Sequence, residues 1–373
     1  MKHATPRRIG LAIAGVALSV AVGAVQAQPM AEAKADYPAI TPLPELKIKQ
    51  EMVELGKYLF FDVRLSGDAA LSCATCHAPD KGWGDGMALS KGYPASEYFR
   101  NAPSLINAGY RKRFMWDGRL DGSDMGTVVR DMITEAHTMN ADGRLVQERV
   151  KQVPEYVAMW ETAVKKNDDP NGMRIFNVVG EFVKTIQSKN VPFDAFLKGE
   201  SGAIGSEAKD GYALFTGKAN CISCHNGPAL SDGKLHKTGV PENPAVWNTP
   251  LRAITMLRHY STSGMPNYMN ARTDVGSYAI TKDKRDIGKF NTPGLRDLKY
   301  TAPYMHNGML ASLSDVVEFY NAGGGMGGEL KPLNLTDGEK KALVAFLESL
   351  SGDPMVVEAP KMPAYKPRTF GKN

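Results

Sequence analysis

All four cysteines of this 373-residue chain fall in two copies of one pattern, C-x-x-C-H: Cys73, Cys76 and His77 in "CATCH", and Cys221, Cys224 and His225 in "CISCH". That spacing is the attachment signature of c-type haem, in which two thiols bond the porphyrin vinyl groups and the following histidine binds iron from one face. A redox-active dithiol needs no histidine, and a structural zinc site shared by the two pairs would join segments 148 residues apart. No thiol remains for a disulfide. Covalent bracing must therefore come from two haem crosslinks.

The N-terminus points to export. Residues 1–27 have a basic start, an apolar run from Ile9 to Val25 and small residues at Val25 and Ala27, the layout of a cleaved secretory signal. A periplasmic location is expected. The run is short for a membrane span, and no later segment is apolar for long enough to cross one. Without those residues the chain loses three of its 45 basic side chains and none of its 40 acidic ones, for a formal charge of +2. Such a balance gives no electrostatic case for binding nucleic acid or an anionic membrane.

The two motifs split the mature chain into similar halves, each preceded by a helix-like segment, "ELKIKQEMVELGKYLFF" and "SEAKDGYALFTGKAN". Between them, Ile175, Val178, Val179, Phe182, Val183 and Ile186 make an apolar stripe at helical spacing. The expected fold is mostly α, with two cytochrome c-like domains: 28–200, and 201–352 after a Gly/Ser-rich boundary. Residues 226–300 lack helical periodicity and read as loops over a haem. Helices are expected over 312–321 and after Thr336, where Thr336 and Glu339 form a capping box. The Pro- and Lys-rich tail, 353–373, reads as extended or disordered.

With "FFDVRLSGDAALSCATCH", "RNAPSLINAGY", "MWDGR", "CISCHNGP" and "FNTPGLRDLKYTAPYMHNG" in view, the chain resembles the bacterial di-haem cytochrome c peroxidases and, more closely, MauG, over residues 45–350. The resemblance implies that hydrogen peroxide reacts at the N-terminal haem while the C-terminal haem stores or relays electrons. Many of the peroxidases block the first iron with a second histidine after the motif. Here "APDKGWGDGMALSKGYPASEYF" has none, which implies an open position, with Met87 as the alternative occupant. Tyr320 stands where MauG has a tyrosine ligand to the second iron. Leu313, Val316, Val317 and Tyr320 also share one helical face, although a core tyrosine would do the same, and Met309 and Met326 are rivals.

Further roles are implied residue by residue. Trp116 matches the tryptophan through which the haems share oxidising equivalents, or is a packed indole. Asn101, with the carbonyls of Thr301 and Pro303, matches an inter-haem calcium site, oxygen donors suiting that cation; alternatively Asn101 caps a turn. The family's distal glutamine, proline and glutamate have no clear counterpart, so Glu135 and His137 are the candidate proton-moving groups, or else solvated helix residues. His306 is expected to hydrogen-bond near a haem edge; His236 and His259 read as surface residues. Before the second motif MauG has a relay tryptophan, whereas this chain has Ala219 and Asn220. The implied function is peroxide reduction with a high oxidation state spent on a protein partner, as in MauG. Alternatives are a peroxidase using cytochrome c or a cupredoxin as donor, and a di-haem electron carrier without peroxide chemistry.

Overall fold

The computed structural model describes residue 1, residues 37–94 and residues 96–366. The expected signal, 1–27, lies outside the described residues apart from Met1. From Tyr37 onward the chain forms one compact unit. Its helices, in order, are α1 (Gln50–Phe61), α2 (Cys73–Cys76), α3 (Met125–Thr134), α4 (Gly143–Lys151), α5 (Pro154–Ala163), α6 (Gly172–Lys184), α7 (Pro192–Leu197) and α8 (Ser206–Thr216). They continue as α9 (Ala245–Asn248), α10 (Pro250–Thr262), α11 (Tyr278–Thr281), α12 (Leu313–Asn321) and α13 (Asp337–Ser349). Two short antiparallel pairs are the extended structure among the described residues: β1 (Arg113–Phe114) with β2 (Leu120–Asp121), and β3 (Leu235–His236) with β4 (Phe290–Asn291).

Local chemistry explains where the helices start. Asp124 and Asp142 accept backbone N–H groups at the starts of α3 and α4, proline occupies the first turn of α5, α7 and α10, and capping boxes open α12 (Ser312/Asp315) and α13 (Thr336/Glu339). Three apolar clusters are buried. One joins α1, α3, α4, α5 and α6; a second joins α7, α8, α12 and α13; the third is built from α9, α10, α11 and residues 89–99.

In each half the helix leading into the haem motif crosses a later helix closely: α1 on α6, and α8 on α13. A glycine marks each crossing. A Cβ on Gly56 would stand 2.3 Å from the Val178 carbonyl oxygen, and one on Gly211 only 1.9 Å from that of Ala342. Helix propensity alone favours Gly→Ala by about 1 kcal/mol. Backbone cannot retreat as a flexible side chain can, so Gly211→Ala is expected to destabilise the protein. Gly338→Ala on α13, where the nearest atom is 4.0 Å away, is the control. Denaturant midpoints that fall for Gly211→Ala and hold or rise for Gly338→Ala check the assignment.

One expectation needs correction. Residues 226–300 are not all loop, because α10 runs for 13 residues inside them. Its buried positions are Thr255, Met256, His259 and Tyr260, so its inward face carries polar side chains that a hydrophobic periodicity does not register. In the tail, the described residues 353–366 form neither helix nor strand and are tied down. Trp83 Nε1 donates to the Met355 carbonyl (2.8 Å), Arg64 donates to that of Pro363 (2.9 Å), and Lys366 N donates to that of Gln152 (2.8 Å).

Candidate functional site

The two thiol–imidazole sites are built alike. His77 Nδ1 lies 3.1 Å from the Trp83 carbonyl oxygen, and His225 Nδ1 lies 3.1 Å from that of Leu230. A carbonyl only accepts, so each Nδ1 carries the hydrogen and each Nε2 keeps its lone pair for a metal. Burial pushes the His77 imidazole down to about 4 and lowers His225 as well, holding both in the neutral form that ligates. Burial also pushes the thiols of Cys73 and Cys221 up to about 12. Reactive dithiols have depressed thiol pKa values, and Cys73 and Cys221 are shifted the opposite way. Their chemistry fits thioether attachment.

A cavity of about 950 Å³ adjoins the second site, lined by Cys221, Cys224, His225 and Tyr320. The inward face of α12 supplies Leu313, Val316, Val317 and Tyr320 together. Beyond its end Gly324, with φ +74°, turns the chain in the left-handed region, and Gly325 N donates to the Thr238 carbonyl (3.0 Å). Burial, reinforced by the Cys221 and Cys224 thiols, raises the Tyr320 phenol well above its ordinary value. The rival methionines lie elsewhere: Met326 is fully exposed and Met309 is 36% exposed.

Trp116 lines the same cavity from the turn between β1 and β2. Its Nε1 donates to the Asn101 carbonyl (2.9 Å), and its own carbonyl accepts from Asn291 N (2.8 Å). Asn101 Nδ2 donates to the Met87 carbonyl (2.7 Å), which orients Oδ1 oppositely. Thr301 and Pro303 line the same cavity as Asn101. The buried His306 stacks on Phe290, with ring centroids 3.7 Å apart, and meets Trp116 edge-on at 6.5 Å.

Around the first site, Cys76 Sγ is 3.9 Å from the Lys91 carbonyl, and Tyr93 N donates to the His137 carbonyl (3.2 Å), so residues 91–93 connect the haem motif to His137. Glu135 and His137 are brought together, Oε2 to Nε2 at 3.0 Å, while Arg119 grips both Glu135 oxygens at 2.8 and 2.9 Å. Burial alone would raise the Glu135 carboxyl, but the His137 hydrogen bond and the Arg119 charge outweigh it and hold it at about 2. A carboxyl so low is a poor proton carrier near neutral pH.

The expectation that His259 is a surface residue is wrong. It is 3% exposed, 3.2 Å from Asp117, and its ring lies 6.1 Å from that of His137. It lies on the inward face of α10, beside Tyr260, a polar face that hydrophobic periodicity does not register. His236 is half-buried, with Nε2 on Asp232 (2.8 Å) and Nδ1 3.8 Å from Cys224 Sγ. Sequence reading also missed the buried lattice of Arg100, Asp117, Asp274 and Arg119, in which Arg100 binds Asp117 at 2.6 Å and Asp274 at 2.7 Å.

The model of the di-haem cytochrome c peroxidase family matches residues 50–202. A protein named cytochrome-c peroxidase IdrP2, from Pseudomonas sp. (strain SCT), is 65% identical over 344 residues, covering 92% of this chain and 93% of its own. The methylamine utilization protein MauG of Methylorubrum extorquens is 34% identical over 343 residues, covering 90% and 89%, so it is the more distant of these two. A solved MauG-like protein associated with microbial copper homeostasis superposes with TM-score 0.69 at 26% identity, covering 89% of this chain and 97% of its own.

Proposed function

Because the chain belongs to the di-haem cytochrome c peroxidase family, we propose that it is an exported, periplasmic enzyme that reduces hydrogen peroxide with electrons from a small redox protein. The observation that carries this reading is the matched construction of its two sites, each histidine pinned through Nδ1 to a carbonyl at 3.1 Å. The N-terminal haem would be held by Cys73, Cys76 and His77 within residues 28–200, and the C-terminal haem by Cys221, Cys224, His225 and Tyr320 within 201–352. When bound, the haems supply the iron that exchanges electrons with peroxide and with the donor.

The chain's own residues then divide the work. Glu135, locked as a carboxylate by Arg119, orients His137 through their 3.0 Å contact. His137 moves a proton between the two peroxide oxygens, a role that histidine most often fills in enzymes. Trp116 carries oxidising equivalents between the two sites. Asn101 Oδ1, with the carbonyls of Thr301 and Pro303, offers the oxygen donors that calcium prefers. A second reading, oxidation of a protein partner as MauG performs, is favoured by Tyr320 standing in the cavity beside Cys221 and Cys224. Ala219 and Asn220 in the relay position weigh against it.

Addition of hydrogen peroxide to the ferric holoprotein, followed optically and by EPR, tests the proposal. One high-spin haem that responds to peroxide, and turnover with reduced cytochrome c or a cupredoxin, are expected. Two low-spin irons with no response would leave only an electron carrier. Peroxide consumption without donor oxidation would favour the second reading.

A further inference from the structure

Four arginines with little exposed side chain each meet a carboxylate: Arg64 on Asp62 (2.6 Å), Arg100 on Asp117 and Asp274, Arg119 on Asp117 and Glu135, and Arg296 on Asp194 (2.9 Å). Arg111 departs from that rule. It lines the cavity of Cys221, Cys224 and His225, its Nη2 donates to the Ser104 carbonyl, and its guanidinium lies 5.8 Å from the Phe114 ring centroid. Among the described residues no carboxylate is within ion-pair distance of it. Burial, unopposed by any negative charge, pushes it down to about 10.

A guanidinium withdrawn from water without a counter-ion is costly, and its planar fork matches a carboxylate in particular. The rest of the cavity lining does not supply one. Lys112, Arg113, Lys237 and Lys331 line it too, against the single acid Glu329. The missing anion must arrive with the ligand, and a haem brings two propionates.

We propose that Arg111 is the anchoring site for a carboxylate of the cofactor in the C-terminal cavity. The proposal rests on the two-haem reading above and adds to it which side chain fixes the porphyrin's polar edge. Arg111 also sets the charge felt at the iron, because a cation near a haem disfavours its oxidised, more positive state.

The test uses wild-type holoprotein and its Arg111→Met and Arg111→Lys variants. Mass measurement of covalently bound haem comes first: a wild-type chain without two haems would defeat the functional reading itself. With both haems attached, potentiometry of the haem on Cys221 and Cys224 is expected to show Arg111→Met shifted toward ferric at least tenfold in the oxidised-to-reduced ratio, which is 59 mV for one electron. Arg111→Lys should recover at least half of that. If Arg111→Met does not accumulate, Arg111→Gln keeps N–H donors without the charge and should show the same shift. An unchanged potential at full haem content would overturn the assignment, as would a shift confined to the haem on Cys73 and Cys76. Titration of the wild type with sodium acetate at constant ionic strength separates the two sources of carboxylate. The haem's own propionate predicts no dependence, whereas an acetate-dependent potential would mean a free anion and defeat the proposal.

Discussion

Tyr320→Met is expected to raise the reduction potential of the C-terminal haem by a few hundred millivolts, within the roughly 0.8 V over which axial ligation moves haem potentials. The argument starts from α12. Its inward stripe ends on Tyr320, which faces the cavity together with Cys221, Cys224 and His225. Burial raises the phenol above its ordinary value, so the side chain stays neutral unless a cation sits against it. Ferric iron is such a cation. A phenolate offsets its charge and stabilises the oxidised state, whereas a neutral, soft thioether favours the reduced one. Tyr320→Phe separates ligation from packing: a tyrosine that only fills space leaves the ferric spectrum nearly unchanged in this variant, and a ligand leaves it altered. Potentiometry and EPR of both variants decide the matter, and an unchanged potential in Tyr320→Met would remove Tyr320 from the ligand set.

The parts legible in the sequence are those where the signal is local. C-x-x-C-H points to haem, in keeping with the di-haem family the chain belongs to, and the helices expected over 312–321 and after Thr336 are present, the second opened by the Thr336 and Glu339 capping box. The apolar stripe from Ile175 to Ile186 is buried as its periodicity predicts. What escaped depends on partners far along the chain. His259 reads as polar and exposed until α10 brings it to Asp117, 142 positions away in sequence. Pro363 gives no hint that Arg64, 299 positions earlier, binds its carbonyl. Arg100 sits beside the recognisable Asn101, but its two carboxylates come from separate loops. Neither composition nor periodicity encodes such pairings, because they follow from the tertiary fold.

Arg100→Met is expected to cost about 3–5 kcal/mol, the usual effect of removing one partner from a buried ion pair. Arg100 is 1% exposed and binds Asp117 through Nη1, while Nε and Nη2 bind both oxygens of Asp274 at 2.7 and 2.8 Å. Without it, Asp274 loses its bidentate partner, and Asp117 is left with Arg119 and His259 alone. Arg100→Met/Asp274→Asn should recover part of the loss by removing the stranded charge. The same lattice makes the protein acid-sensitive. Burial would raise the Asp274 carboxyl, but Arg100 outweighs it and holds it at about 2, and Asp117 is likewise held well below its usual range. Folded values below the unfolded ones mean that this stability is complete above about pH 4 and is lost as pH falls toward 2. Glu242 has the opposite sign: burial and then the Asp274 charge push it up to about 7, so its contribution weakens as pH rises from about 4.5 to 7. Denaturant unfolding of the single and double variants across that range measures both effects, and a loss below about 1 kcal/mol for Arg100→Met would refute the lattice as a stabilising unit. Its placement gives it functional weight. Arg100 precedes Asn101, whose carbonyl accepts from Trp116, and Asp117 follows Trp116 directly. Holding the lattice rigid therefore holds the candidate bridge between the two sites, and Arg100→Met should slow electron exchange between the haems even where the variant remains folded.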